Sequence, residues 1–387
     1  MDTDIIQCAQ HNEPKNDKQQ PTEAAINSHD LDVMPHKQGL QPRTRYLSSE
    51  HHPRIHRLAV LTSGGDAPGM NAAIKAVVDA ADLQHIDVIG FMHGFNGIFD
   101  RDYVPLTPRD VKHIIHLGGT ILKSARCKTM HETQGPSMAA AILHELSVDA
   151  LVIIGGDGSF RGATALAPYY HGQIIGIPGT IDNDIDGSDY SIGFATAVDT
   201  ALDAIDKIRD TADAFERIFL VEVMGRHSGY LAMAAGIASA AEQVICPELH
   251  PQLDLPAIAA DIRYAQQQNG KQSYIIVVAE QQGLSTTHLA DELTKLTHTD
   301  CRACVLGHLQ RGGSPVFSDR ILATKLGHFA VQQLLTGAHL MMAGEIGGVA
   351  GLYPLHLTGE RHKSPDPALL LWQQQQQKSR DSSGEDV

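Results

Sequence analysis

Three carboxylates at alternate positions, Asp182, Asp184 and Asp186, lie inside one glycine-bounded stretch from Gly176 to Gly187. Acids so spaced on a loop suit metal, phosphate or proton chemistry. The stretch shares Asp-x-Asp-x-Asp-Gly with an EF-hand calcium loop, but that loop needs a closing Glu and none follows here. Two further glycine–acid loops stand elsewhere: Thr62 to Gly69 (TSGGDAPG) and Gly155 to Ser159 (GGDGS). Backbone N–H groups in such loops, followed by a helix N-terminus, bind phosphate oxygens because no side chain blocks the approach. Between them run Gly118-Gly119-Thr120 and Lys123-Ser124-Ala125-Arg126, and an arginine beside phosphate-type loops is a candidate clamp. Neither the Walker A spacing nor the dinucleotide fingerprint is present, which weighs against P-loop kinases and Rossmann dehydrogenases.

The elements that must carry these loops are legible from their apolar runs. Leu58–Leu61, Leu151–Ile154 and Ile174–Ile177 read as buried strands, each breaking into one of the loops, with Pro178-Gly179 expected as the breaker of the third. Helical patterns follow from Asn71 to Ala81 and from Arg161 to Leu166. Val198, Leu202, Ile205 and Ile208 mark one face of an amphipathic helix reaching about Ala212. Ile218–Val223 is a strand that enters Met224-Gly225-Arg226, and a small-residue helix follows through Ala241. Tyr274–Ala279 is a strand ending at Glu280, and Cys304–Leu309 is another, running into Gln310-Arg311-Gly312-Gly313. Strands that keep alternating with helices predict an α/β fold with mostly parallel sheets, where ligands bind at the strands' carboxyl ends.

With 387 residues and 42% hydrophobic composition the chain can bury two domain cores, and no run has the length of a membrane helix. The N-terminus lacks the apolar core of a signal peptide, so the expected location is the cytoplasm. A net charge of −15 opposes nucleic acid and anionic membranes as partners. Five scattered cysteines imply reduced thiols, and Cys301-x-x-Cys304 has no second pair to complete a zinc site. Residues 1–56 are polar and without apolar period, an expected disordered extension. Residues 361–387, with five consecutive glutamines from Gln373, form a low-complexity tail.

Five motifs in one order carry a resemblance: Leu61 to Asn71 (LTSGGDAPGMN), Gly155 to Ser159, Pro178 to Asp184 (PGTIDND), Met224-Gly225-Arg226, and Gly307 to Pro315 (GHLQRGGSP). They are similar to the bacterial-type ATP-dependent 6-phosphofructokinases over Arg57 to about Gly337. The resemblance implies two Rossmann-like three-layer domains with the active site in the cleft between them. Residues 57–193 with about 311–360 would bind ATP, and 194–310 the sugar phosphate. It implies the glycolytic transfer of the γ-phosphoryl group of ATP to the 1-hydroxyl of fructose 6-phosphate, in a homotetramer. Asp182 resembles the base, with Thr180, Arg126 and Arg226 holding the transferring group. Asp157 and Asp184 resemble the magnesium-side acids. Gly64, Arg126, Cys127, Gly156, Asp157, Gly158, Ser159 and Gly162 match the nucleotide positions. Thr180, Ile181, Asp182, Met224, Gly225, Arg226, Glu280, His308, Leu309, Gln310 and Arg311 match the sugar positions. Arg217 and Arg302 match residues that reach in from a neighbouring subunit.

Departures are as informative. Cys127 stands where an aromatic is frequent, and Phe95 where a tyrosine is common. Pyrophosphate-dependent relatives typically carry Asp at position 158 and Lys at 179; this chain has Gly158 and Gly179, which favours ATP. A silent regulatory paralogue would lack the base, and lipid or NAD kinases lack the PGTIDND and HLQRGG motifs. Lys75, Arg209, Glu242 and Lys271 match the family's effector positions. Asp79 and Asn269 replace bases there, so weak inhibition by phosphoenolpyruvate is expected.

Overall fold

The computed structural model describes residues 54–269, 273–359 and 363–381. The chain enters β1 (Arg57–Ser63), then α1 (Met70–Asp82), β2 (Asp87–Phe91), α2 (Asn96–Asp100) and β3 (Tyr103–Leu106). After a long loop come α3 (Gly135–Glu145), β4 (Ala150–Gly155), α4 (Asp157–Leu166), β5 (Gln173–Thr180) and the short β6 (Ile192–Gly193). A second series is α5 (Phe194–Phe215), β7 (Ile218–Val223), α6 (Tyr230–Ala238), β8 (Gln243–Ile245), α7 (Leu255–Asn269), β9 (Tyr274–Ala279), α8 (Thr286–Thr297) and β10 (Cys301–Val305). The chain then returns through α9 (Phe317–Leu335), β11 (Met341–Ile346), β12 (Val349–Pro354) and α10 (Pro367–Asp381).

These strands make two sheets. The first has the order β12-β11-β5-β4-β1-β2-β3, with β6 paired to β5; the second has the order β10-β7-β9-β8 and is parallel throughout. In the first, β2–β3 and β11–β12 are antiparallel and the centre is parallel. The central strands, such as β4 and β9, are buried along their whole length because both faces are covered. Leu58 and Val60 point into one core with α1 and α9, whereas Ala59 and Leu61 point into another on the opposite face. The first of these cores continues without a break through Ala201 and Ile205 of α5 to Val221 and Val277 of the second sheet, so the two lobes share buried surface. The far face of the second sheet packs Leu220 and Ile276 against Ile262 of α7 and Leu293 of α8.

Three expectations are corrected. Pro178-Gly179 does not break the third strand: β5 runs through both to Thr180, pairing Gly155 with Pro178 and Gly179 with Ile192. A proline is tolerated there because it lies at the strand's end, where few ladder N–H groups are required. Residues 307–309, expected as the end of a strand, belong instead to a 3-10 turn over Gly307–Arg311, which leaves Leu309 72% exposed. Within the low-complexity tail, 367–381 are helical: five glutamines are good helix formers, and Gln373 is buried. The expectation for 1–56 falls almost wholly outside the described residues.

Candidate active site

The loops that follow β1, β4 and β5 converge because these strands are neighbours in a parallel array and all end at the same edge. They line a cavity of about 310 Å³ whose opposite wall carries Arg226 and Arg311 from the loops after β7 and β10. Asp157 is the first residue of α4, and Gly156 before it is extended, so Asp157 faces the cavity from a helix N-terminus. Its Oδ2 is ion-paired with Arg161, while its Oδ1 is buried without a hydrogen-bond partner. Gly158 beside it is open: a Cβ there would meet nothing nearer than Arg161 Nη2 at 3.8 Å.

Asp182 is 3% exposed, and its backbone N–H donates to Thr180 Oγ1 at 3.3 Å. The turn is fixed by Asn183, which takes a left-handed φ of 50° and accepts the Ser191 N–H at 2.9 Å through Oδ1. Burial, then the charge of Asp184, pushes the Asp182 carboxyl up from 3.8 to about 6, with Arg226 and Arg311 pulling the other way. Asp182 Oδ2 lies 3.5 Å from Arg226 Nε across the cleft, and its Oδ1 has no hydrogen-bond partner.

The second lobe presents its residues through a strained turn. Gly225 has φ 136° and Arg226 φ 54°, and the turn is pinned where Arg226 N–H donates to Glu280 at 2.7 Å and Met224 N–H to Gln310 Oε1 at 2.8 Å. Arg311 reaches back over the first glycine loop, with Nη1 3.8 Å from Asp66; a Cβ on Gly65 would stand 2.9 Å from that nitrogen. The loop's other side is held where Ser124 Oγ donates to the Gly64 carbonyl at 2.7 Å.

Of the sequence-predicted residues, Gly64, Arg126, Cys127, Gly156, Asp157, Gly158, Ser159, Thr180, Ile181, Asp182, Asp184, Arg226 and Arg311 all border this cavity. Gly162 lies behind it, against the Phe95 ring, where a Cβ would stand 3.2 Å from the ring. The Cys127 thiol is buried, and that burial raises its pKa. Met224, Gly225, Glu280 and Gln310 support the turn that bears Arg226, and His308 and Leu309 lie on the exposed 3-10 turn before Arg311. Arg217 and Arg302 do not border the cavity within one chain; both pair with Asp300, at 2.8 and 3.0 Å. Lys75 pairs with Asp79 at 2.6 Å, and Arg209 pairs with Glu242 at 3.2 Å; Lys271 lies outside the described residues. Arg161 was missed, although its place four residues after Asp157 on a helix is the spacing of an ion pair.

Among the described residues no cluster of three or more metal-ligating side chains exists. The orphaned buried oxygen of Asp157 nevertheless fits a magnesium ion, which uses one or two carboxylates and takes its remaining ligands from water and phosphate. The arrangement can deprotonate a hydroxyl at Asp182 beside an anion held by Arg226. No described helix is long and apolar enough to cross a membrane.

The model of the family described as phosphofructokinase matches residues 57–334. An ATP-dependent 6-phosphofructokinase 1 of Thermus thermophilus is 48% identical over 319 residues, covering 82% of this chain and 98% of that one. The ATP-dependent 6-phosphofructokinase of Bacillus subtilis is 46% identical over 284 residues, 73% of this chain and 87% of its own. Among solved structures, phosphofructokinase from Saccharomyces cerevisiae superposes with a TM-score of 0.72 at 31% identity, covering 84% of this chain and 47% of the longer yeast chain. A pyrophosphate-dependent phosphofructokinase from Marinobacter aquaeolei gives 0.71 at 21% identity over 81% of this chain and 86% of its own, a likeness of fold alone.

Proposed function

The chain belongs to the phosphofructokinase family, and from that premise we propose that it transfers the γ-phosphoryl group of ATP to the 1-hydroxyl of fructose 6-phosphate, giving fructose 1,6-bisphosphate and ADP. The observation that carries this reading is the placement of a buried carboxylate, Asp182, 3.5 Å from Arg226 in a cavity that also holds Asp157 and the glycine loops.

Asp182 accepts the proton of the sugar's 1-hydroxyl as that oxygen attacks phosphorus. A base raised to about 6 is ionised at neutral pH yet basic enough to share the proton in the transition state. Thr180, Arg126 and Arg226 hold the transferring group, where fixed donors stabilise charge that grows only as the reaction proceeds. The Gly64 loop and the run from Gly156 to Ser159 receive the nucleotide phosphates on backbone N–H groups. Asp157 would hold a magnesium ion brought in with ATP, with Asp184 beside it, and the ion would supply positive charge to the phosphates. On the sugar side Met224, Glu280, His308 and Arg311 hold fructose 6-phosphate. Arg217 and Arg302, paired on Asp300 outside the cavity, serve a neighbouring subunit of a homotetramer.

ATP rather than pyrophosphate is the donor because the space around Gly158 is open, leaving room for the α-phosphate. A coupled assay with fructose 6-phosphate, magnesium, and ATP or pyrophosphate in parallel tests the reading. Turnover with pyrophosphate and none with ATP would overturn it.

A further inference from the structure

The C-terminal segment has no part in the reaction proposed above, yet its first described residue is bonded to the loop that bears Asp182. Lys363 donates its backbone N–H to the Asp184 carbonyl at 3.4 Å, and its ammonium donates to the Asp189 carbonyl. The same ammonium lies 4.8 Å from the centre of the Tyr230 ring, a cation–π distance. Asp184 and Asp189 belong to the loop after β5, in the first lobe; Tyr230 opens α6, in the second. Downstream, α10 packs on α7 of the second lobe, with Leu370 against the shared core. One short segment therefore grips the loop that bears Asp182 and the lobe that bears Arg226.

Other restraints on that loop include a stack of Tyr190 on Phe194 at the start of α5 and hydrogen bonds within the first lobe. Asn183 bonds Asp189 and Ser191, and the Tyr353 hydroxyl donates to Asp186 at 2.9 Å. The direct tie across the cleft, Asp182 to Arg226, occupies the place a phosphoryl group must take and has to rearrange when substrates enter. A tie outside the cavity does not. We infer that Lys363 is a positioning residue, a strap that holds the Asp182 loop against the second lobe while the cleft contact opens for substrate.

This inference rests on the reading of Asp182 as the base, and the test separates the two. The full-length protein is compared with Lys363→Met and Lys363→Arg, at saturating ATP and fructose 6-phosphate and by hydrogen exchange without substrates. Lys363→Met is expected to lower kcat by about tenfold to a hundredfold, the range that a misplacement of about 1 Å produces, with either KM changed less than about twofold. Lys363→Arg keeps a donor and a cation over Tyr230 and is expected to recover most of the loss. Amide exchange in residues 182–190 is expected to speed up about tenfold in Lys363→Met and to stay slow in Lys363→Arg. Parent-like kcat and parent-like exchange in Lys363→Met would overturn the strap while leaving the catalytic reading intact. Faster exchange with no phosphoryl transfer by the parent protein would keep the strap and sink the reading of Asp182. Equal losses in Lys363→Met and Lys363→Arg, together with a lower unfolding temperature, would mark a purely structural residue and also overturn the strap.

Discussion

Replacing Asp182 with Asn should remove activity and, in the metal-free protein, raise stability in a pH-dependent manner. The carboxyl is 3% exposed, and its pKa rises from 3.8 unfolded to about 6 folded. Each unit is worth about 1.4 kcal/mol, so keeping the group ionised in the fold costs about 3 kcal/mol at pH 8. The sign follows from linkage. A carboxyl whose folded pKa is raised destabilises the fold above that pKa, and the cost fades as pH falls toward the unfolded value, to about 1 kcal/mol at pH 4.5. Against the gain stand an imperfectly bonded buried amide, about 1 to 2 kcal/mol, and a half-exposed Arg226 that loses a partner, worth less. The burial cost wins at pH 8, giving a net gain of about 1 to 2 kcal/mol, a shift of a few degrees in unfolding temperature. At pH 4.5 the gain should vanish. Calorimetry of both proteins in chelator at the two pH values measures it, beside a coupled assay in which kcat should fall by about two to four orders of magnitude. An offset that is the same at both pH values would refute the electrostatic argument, and more than about a tenth of the activity remaining would refute the base.

Gly158→Asp should cut ATP turnover by about tenfold or more, since the open space there lets the carboxylate stand against a phosphate; titration of initial rate against ATP reads this out. Asp79 already neutralises Lys75 at 2.6 Å, so phosphoenolpyruvate should inhibit weakly and Asp79→Arg should strengthen inhibition by about tenfold; sub-millimolar inhibition of the parent protein would contradict this. Asp319→Ala should cost about 3 kcal/mol or more, because this buried carboxylate accepts from Gly193 N–H, Thr196 N–H and the Thr196 hydroxyl; denaturant unfolding would check it.

Legibility divided along physical lines. The central strands were readable because two-sided burial makes them continuous apolar runs, and the loops because glycine and acid together have few other uses. Thr180 and Asp182 followed from those two facts. The edge strands β3 and β12 are half exposed and carry no such run, so they passed unread. Residues 304–309 look like a strand in composition, yet the left-handed Gly307 turns the chain into a 3-10 coil. Lys363 was invisible for a different reason: its partners Asp189 and Tyr230 are far away in sequence, and nothing local marks a lysine as a tie. The glutamine run read as a tail because composition does not reveal that Gln373 will be covered by its neighbours.

The first sheet is interrupted in sequence. Its strand β5 ends at Thr180, but β11, which covers β5's outer edge, does not begin until Met341, after the whole second sheet has been made. During synthesis the second lobe, continuous from α5 to β10, can close as soon as it leaves the ribosome, whereas the first must wait with an unpaired edge and α1 lacking its partner α9. Truncated chains ending before β11 should therefore be the ones that aggregate.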